Sequence, residues 1–180
     1  MTQALKRFQQ SGQSHCVTFS CYRRQQKLVE ARLCALFVDR LEAMRVRFVL
    51  CVYGYVVMPE HVHLLLSEPK NGNLCDALHW LKLSFAKRSR SLRPANEDAF
   101  WQKRYYDRNI RSYPDFVEKL RYIHRNPVKR GLCAQPDEWP WSSFRHYALR
   151  EPGTVEIESE WTAALREESR AVGEEVRNPG

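Results

Sequence analysis

The chain lacks the long apolar runs that mark membrane proteins. No stretch of its 180 residues approaches the roughly 20 uncharged apolar residues that span a bilayer. The first twelve residues, MTQALKRFQQSG, have no apolar centre of the kind that a secretory signal needs. We therefore expect a soluble, cytoplasmic protein with no membrane partner.

Paired cysteine motifs and internal repeats are also missing. The six cysteines are scattered, mostly inside apolar runs, and no two of them form a C-x-x-C pair. This spacing argues against a zinc ribbon or a disulfide framework and predicts reduced, mostly buried thiols. The length suits a single domain. We expect that domain to occupy residues 1–150 and the remainder, 151–180, to form a peripheral, partly flexible acidic tail.

Positive charge is concentrated in the expected domain. The whole chain carries a formal net charge of +8, but residues 151–180 hold eight acidic and three basic side chains. The first 150 residues therefore carry a net charge of +13. A folded domain with this surplus, and with Trp and Tyr among its basic residues, favours a polyanionic partner, with nucleic acid first.

The order of predicted elements indicates an α+β fold. A strand is predicted at residues 15–21, a helix at 28–45, a strand at 46–57, a second strand from residue 61, and helices at 74–90 and 114–126. Strand, helix, strand, strand is the opening of a split βαβ, ferredoxin-like arrangement. We expect an antiparallel sheet with helices packed on it.

The strand that opens with His61-Val62-His63 carries the first chemical signal. Residues two apart in a strand face the same side, so both imidazoles can lean toward one point. Two converging imidazoles are a start on a divalent metal site. Ordinary strand histidines on a wet face are the alternative. Val62, Leu64 and Leu66 are predicted to face a core on the opposite side.

The helix at 114–126 carries the second signal. Phe116, Leu120 and Ile123 form its predicted core stripe, and Tyr122 lies roughly 120° away from that stripe. Asn126 is one turn further on and shares the side of Tyr122. Pro127 disfavours helix at the preceding residue, so we expect the helix to end there. A surface tyrosine that merely forms a hydrogen bond is the alternative.

Residues 100–111, FWQKRYYDRNIR, alternate aromatic and basic side chains. Aromatic rings can stack on bases while Arg and Lys contact phosphates, as in single-stranded nucleic acid sites. On this hypothesis Trp101 stacks on a base. A short core strand in which Trp101 and Tyr105 simply pack explains the pattern equally well.

Together these residues are compatible with strand-transfer chemistry. Two imidazoles and an amide oxygen could bind one divalent ion that grips a phosphate oxygen. A nearby tyrosine hydroxyl could then attack the phosphorus, giving a phosphotyrosine bond that keeps the energy of the cleaved phosphodiester. Rejoining would then require no ATP.

Four segments in order, YGYVVMPEHVHLLL, FWQKRYYDRNIR, LRYIHRNPVKRGL and WPWSSF, resemble the REP-associated tyrosine transposases. That family belongs to the single-tyrosine branch of the HUH superfamily of endonucleases and transposases. The resemblance runs from about residue 15 to residue 147 and implies the HUH endonuclease type of fold.

The resemblance also implies roles for individual residues. His61 and His63 match the HUH metal ligands, with Mg²⁺ or Mn²⁺ as the ion, and Tyr122 matches the nucleophile. Asn126 stands where insertion-sequence relatives have a glutamine ligand, which makes the third ligand less certain. The implied partner is single-stranded DNA that forms repetitive extragenic palindromic hairpins, and we expect a monomer rather than a dimer. The expected phosphate contacts are Arg23, Arg24, Lys82, Arg104, Arg108, Arg121, Lys129 and Arg130.

Three alternatives stay open on sequence grounds. The same fold could bind hairpin DNA or RNA without chemistry. It could be a metal-dependent phosphodiesterase in which water attacks and Tyr122 only orients. Tyr105 or Tyr106 could be the nucleophile instead, since both lie in the basic aromatic segment. His124 is a possible extra ligand, but it points about 160° away from Tyr122 on an ideal helix.

Overall fold

A four-stranded antiparallel sheet with helices on both faces forms the centre of the protein. The computed structural model describes residues 13–94 and 99–177. The N-terminal segment 1–12 and residues 95–98 of the loop before Phe100 lie outside the described residues. The elements, in chain order, are β1 Ser14–Ser20, α1 Ala31–Phe48, β2 Val52–Val57, β3 His61–Leu66, α2 Leu74–Arg88, β4 Tyr106–Ile110, α3 Tyr113–Lys129, α4 Phe144–Leu149 and α5 Glu160–Arg177.

The strand order is β2-β3-β1-β4, and all pairings are antiparallel. Strand β3 lies between β1 and β2, which are joined by α1. This is the split βαβ arrangement that the element order predicts, and the α+β expectation is confirmed. The register between β1 and β3 sets Thr18 opposite His63 and Ser20 opposite His61.

The two faces of the sheet have different partners. Val62, Leu64 and Leu66 are fully buried in a large core with α1 and α2, as the alternation along β3 predicts. The other face packs against α3 through a smaller cluster that includes Leu65 and Ile123. The histidines of β3 share this second face, so the polar side of the strand is turned toward α3.

Close approach of α3 to the sheet depends on Gly54 in β2. A Cβ atom at this position would lie 2.5 Å from Leu120 Cδ1, far inside a normal carbon–carbon contact. The pairing of β2 with β3 is irregular between Val52 and Gly54. The missing side chain lets α3 lie directly on the strand pair that carries the histidines.

Several predicted boundaries are wrong. Helix α1 continues to Phe48, so residues 46–48 belong to the helix and β2 begins only at Val52. Helix α3 does not end before Pro127 but continues to Lys129. Pro127 removes one backbone donor, yet the next turn closes because the amide of Arg130 donates to the Asn126 carbonyl at 3.0 Å. The continuation brings Lys129 and Arg130 toward the histidine strand.

The expectation of a peripheral tail from residue 151 is wrong for its first part. Val155 and Ile157 are buried in the larger core. Ile157 forms a bridge with Val52, and the amide of Glu158 donates to the Val52 carbonyl at 2.8 Å. The tail thus covers part of the otherwise open edge of β2, which protects that edge from pairing with other chains.

The segment 139–143 covers the rest of the same edge. The amide of Val57 donates to the Trp141 carbonyl at 2.8 Å, and the Trp139 indole donates to the Val57 carbonyl at 3.0 Å. His124 Nε2 lies 2.9 Å from Ser143 Oγ, so this buried imidazole links α3 to the segment that covers β2.

No helix within residues 13–94 and 99–177 is long and apolar enough to cross a membrane. Cys16, Cys21 and Cys34 are buried free thiols, as the spacing predicts, whereas Cys75 is exposed.

A buried histidine joins three segments at the end of the sheet remote from His61. His15 Nδ1 lies 2.8 Å from Asp107 Oδ1, and its Nε2 lies 3.3 Å from Glu68 Oε1. Burial opposes protonation of His15, but the two carboxylates outweigh it and raise the imidazole pKa above its ordinary value. This group therefore favours folding in its charged form.

Ile157→Ala should lower the free energy of unfolding by about 2–5 kcal/mol, because it opens a cavity in the main core. Leu165→Ala, at a half-exposed position of α5, is the matched control and should cost much less. Urea unfolding of both variants checks the expectation, and equal losses would contradict the placement of Ile157 in the core.

His15→Gln should lower the free energy of unfolding at low pH, and this loss should become smaller as pH rises. Because the imidazole pKa is raised in the folded state, the charged imidazole stabilises the fold fully below its pKa in the unfolded chain, about 6.5. This stabilisation is lost as pH rises through the pKa of the folded state. Urea unfolding of wild type and variant at several pH values gives the difference that isolates His15. A difference that stays constant or grows with pH would contradict the assignment of a charged imidazole.

Candidate active site

Four side chains from β3 and α3 converge on one point at the α3 face of the sheet. His61 Nε2 and His63 Nε2 lie 2.9 Å apart, and the amide nitrogen Nδ2 of Asn126 lies 3.1 Å from His63 Nε2. The Tyr122 ring meets the His63 ring edge-on with 5.3 Å between centroids. Sequence reasoning names all four, and the fold brings them together.

These side chains differ in how far they are exposed to solvent. His63 and Asn126 are buried, whereas 42% of Tyr122 is exposed. Tyr122 is thus not a core aromatic, as its angle from the apolar stripe predicts. A large anionic substrate can reach its hydroxyl group while the buried imidazole and amide stay fixed.

A second side chain contacts Nδ1 of each histidine, the ring nitrogen remote from the shared point. Thr18 Oγ1 lies 2.7 Å from His63 Nδ1. Glu60 Oε1 lies 3.2 Å from His61 Nδ1, so that nitrogen carries a proton facing the carboxylate. The carboxylate of Glu60 favours the tautomer of His61 in which Nε2 presents a lone pair to the shared point. The Thr18 hydroxyl fixes the orientation of the His63 ring and can either donate to Nδ1 or accept from it.

At 2.9 Å the two Nε2 atoms are close enough either to share one N–H in a hydrogen bond or to ligate one cation together. The His63 imidazole is neutral at pH 7, because burial and the neighbouring imidazole of His61 lower its pKa to about 3. Burial also lowers the His61 pKa. Neutral imidazoles are the form that ligates metal ions.

The donor set therefore fits a divalent cation bound by two imidazole nitrogens and one amide oxygen. Rotation of the Asn126 amide exchanges Nδ2 for Oδ1 and presents an oxygen to the same point. Nitrogen and oxygen donors in this number suit Mn²⁺ and leave positions for phosphate oxygens and water. Within the described ranges, no group of three or more His, Cys, Asp or Glu side chains could hold a metal. The additional donor next to the two imidazoles is the Asn126 amide, 3.1 Å from His63.

An ion pair ties the end of α3 to the same site. Arg130 Nη2 lies 2.6 Å from Glu60 Oε1, the oxygen that faces His61. The expectation that Arg130 contacts phosphate directly is not supported in this conformation, since its guanidinium is engaged by Glu60. The ammonium nitrogen of Lys129 lies 5.6 Å from the centroid of the Tyr122 ring.

The basic turn at Arg23 and Arg24 lies beside the Glu60 turn. The Cys21 amide donates to the Glu60 carbonyl at 2.9 Å, and the Leu28 amide donates to the Pro59 carbonyl at the same distance. Both arginines are exposed, and both have a φ of 54°, a left-handed conformation that is strained for residues with a side chain. The charge of Arg24 reaches the imidazole of His61 and contributes to its lowered pKa.

The expected stacking of Trp101 on a base is wrong. Trp101 is only 7% exposed and packs edge-on against Phe19 and Phe100, so the core-packing alternative is the one that holds. Lys82 donates from its ammonium group to the carbonyls of Gln102 and Lys103, and its contact with a phosphate stays a prediction.

The remaining expected contacts differ in availability. Arg104 is exposed. Arg108 lies 3.3 Å from Asp115 Oδ1 in a half-exposed ion pair. Arg121 is exposed beside Tyr122 on the outer face of α3 and lines a groove there.

Sequence reasoning missed the two orienting residues. Glu60 precedes His61 directly, and a carboxylate beside a candidate metal-binding histidine is a signal that could have indicated its role. Thr18 gives no such signal, because its place behind His63 follows only from the pairing of β1 with β3.

Two curated proteins match about half of this chain. A candidate REP-associated tyrosine transposase of Haemophilus influenzae is 32% identical over 97 residues, covering 49% of this chain and 55% of the relative. The REP-associated tyrosine transposase of Escherichia coli is 29% identical over 104 residues, covering 55% and 57% of the two chains. The chain thus matches just over half the length of these curated relatives.

A solved structure described as a REP-associated tyrosine transposase bound to a REP hairpin shares the fold. It superposes with a TM-score of 0.69 at 21% identity and covers 88% of this chain and 93% of its own. The family model for IS200-like transposases matches residues 8–126, a range that includes both histidines, Tyr122 and Asn126. The chain belongs to the IS200-like transposase family.

Proposed function

We propose that this chain is a metal-dependent enzyme that cuts and rejoins single-stranded DNA through a 5′-phosphotyrosine on Tyr122. The observation that carries the proposal is the convergence of His61, His63 and Asn126 on one point beside the exposed Tyr122 ring. A binding module has no need for two lone-pair donors directed at one point, or for a tyrosine exposed beside them.

The proposed substrate is single-stranded DNA at repetitive extragenic palindromic hairpins. Both curated relatives are named for REP elements, and the solved structure that shares the fold is described as bound to a REP hairpin. We further propose that the chain acts as a monomer, since all four site residues belong to one chain.

The proposed step is an in-line displacement at phosphorus. The Tyr122 hydroxyl gives up its proton to solvent as its oxygen bonds to the scissile phosphorus, the bond from phosphorus to the 3′ oxygen breaks, and that oxygen takes up a proton from solvent. The Lys129 ammonium stabilises the negative charge that develops on the phenolic oxygen. A 3′ hydroxyl attacking the phosphotyrosine reverses these bond changes and joins the strand without ATP.

The proposed metal residues are His61, His63 and Asn126. A bound Mg²⁺ or Mn²⁺ would polarise the scissile phosphate and neutralise charge on its oxygens. Glu60 favours the tautomer of His61 that presents Nε2 to the ion, and Thr18 fixes the orientation of the His63 ring. The Arg130 pairing with Glu60 keeps the end of the nucleophile-bearing helix next to the His61 side of the site.

Tyr122→Phe should abolish cleavage, by roughly a thousandfold or more, and leave hairpin binding unchanged, because only the attacking oxygen is removed. Labelled single-stranded hairpin DNA from repeats flanking the gene is incubated with protein and Mn²⁺ or Mg²⁺ and resolved on a denaturing gel. A label that stays with wild-type protein, needs metal and disappears in the variant supports the proposal.

Tyr106→Phe is the matched variant, since Tyr106 is exposed in β4 and was the rival nucleophile. It should retain the covalent adduct. Cleavage without an adduct would favour water as the nucleophile, and binding without cleavage on every repeat tested would favour the non-catalytic binding module.

His63→Ala should remove specific Mn²⁺ binding, and Thr18→Val should weaken it about 10–100-fold, the usual effect of losing an orienting partner. His79→Ala, at an exposed histidine of α2, is the control and should bind Mn²⁺ like wild type. Titration followed by electron paramagnetic resonance measures free Mn²⁺ without DNA. Wild-type affinity in His63→Ala would refute the ligand assignment.

A further inference from the structure

A groove runs along the exposed face of α3 and passes Tyr122. Its volume is about 590 Å³. The lining comprises Tyr113, Pro114, Val117, Glu118, Arg121, Tyr122, Arg125 and Lys129. At 1.5 Å per residue the groove extends roughly 13 Å from Tyr122 toward Tyr113 and roughly 10 Å toward Lys129. A strand held at Tyr122 therefore has a continuous path in both directions along one helix.

The positive charges of this groove are not neutralised by the protein. Arg121 and Arg125 are exposed, and neither forms a hydrogen bond or an ion pair within the described part of the chain. The one acidic residue of the lining, Glu118, is held by Lys119 at 2.9 Å. Guanidinium groups without a protein carboxylate are available for phosphate oxygens.

An exposed aromatic ring stands at the far end of the groove. Tyr113 is 73% exposed, and its ring lies parallel to that of Phe116 at 6.5 Å between centroids. An exposed ring backed by a second aromatic offers a flat, preorganised surface on which a base can stack.

The neighbouring groove between α3 and α5 has different chemistry. It is larger, about 1060 Å³, and its charged lining residues are Arg150, Glu158, Glu160 and Glu168. Glu158 is paired with Arg166, but the lining still holds more carboxylates than guanidinium groups, so it suits a polyanion less well than the groove that contains Arg121 and Arg125.

We propose that the groove on α3 holds the single DNA strand that continues from the scissile phosphate, with Arg121 and Arg125 on its phosphates and Tyr113 stacked on a base. This inference rests on the proposed function for the identity of the ligand and adds the path of the strand. The combination of unpaired arginines and an exposed ring in the lining of one groove fits a flexible single strand, whose bases are free to stack.

The first test measures binding to a fluorescein-labelled thymidine homopolymer by anisotropy in EDTA at several salt concentrations. The double variant Arg121→Ala/Arg125→Ala should bind more weakly, and the slope of log K against log salt should fall by about 1.4, or about 0.7 for each lost phosphate contact. Arg88→Ala/Arg90→Ala is the matched control, because it removes the same charge from exposed positions at the end of α2, across the sheet.

The second test addresses Tyr113. Tyr113→Ala should lower affinity roughly fivefold or more, whereas Tyr113→Phe should bind like wild type because the ring can still stack. Circular dichroism checks that both variants keep the fold.

Equal slopes in the two double variants would overturn the proposal, and so would equal affinities of Tyr113→Ala and Tyr113→Phe. Both measurements are made without metal and without cleavage. Their failure is therefore distinguishable from failure of the proposed chemistry, which the Tyr122→Phe adduct assay reports.

Discussion

The candidate site depends on the strict alternation of side chains along β3 in the middle of the sheet. Val62, Leu64 and Leu66 are fully buried on one face, so a shift of register by one residue would expose all three. The same constraint holds His61 and His63 on the other face. The hydrophobic core of α1 and α2 thus fixes the direction of two imidazoles that it does not touch.

The second element of the site, α3, is held against that face by close packing and by an ion pair. Gly54 allows Leu120 to lie directly on β2, and Arg130 reaches Glu60 just beyond the helix end. Because Glu60 also contacts His61, one carboxylate links the helix that bears Tyr122 to the histidine strand. Movement of α3 relative to the sheet would therefore disturb Tyr122 and His61 together.

The sequence predicts the parts of this site that follow from local periodicity. Period two places His61 and His63 together, and the helical angle separates Tyr122 from the apolar stripe. Neither rule describes contacts between neighbouring strands, so the contact of Thr18 with His63 was not predicted. Pattern also cannot distinguish an aromatic ring that stacks on a base from one that packs in the core, which is why Trp101 was ambiguous until its surroundings were known.

The tail and the end of α3 show the same limit. Val155 and Ile157 are two apolar residues in an acidic segment, and only the open edge of β2 makes them core residues. Pro127 is a reliable helix breaker when the chain has no other support, but the packing of α3 on the sheet holds one further turn in place. In both places the tertiary contacts determine the structure, although the local sequence favours an exposed tail and a shorter helix.

Net charge is a poor guide to where a polyanion binds, because pairing decides which charges are available. Arg45, Arg108, Arg130 and Arg166 each face a carboxylate, and Lys82 is used by backbone carbonyls. These cations add to the formal charge of the chain, yet their hydrogen-bonding capacity is already engaged. A phosphate would have to displace a carboxylate to bind them, whereas at Arg121 and Arg125 it would displace only water. Guanidinium groups that have no carboxylate partner are therefore available to phosphates along the outer face of α3, on the helix that also carries Tyr122.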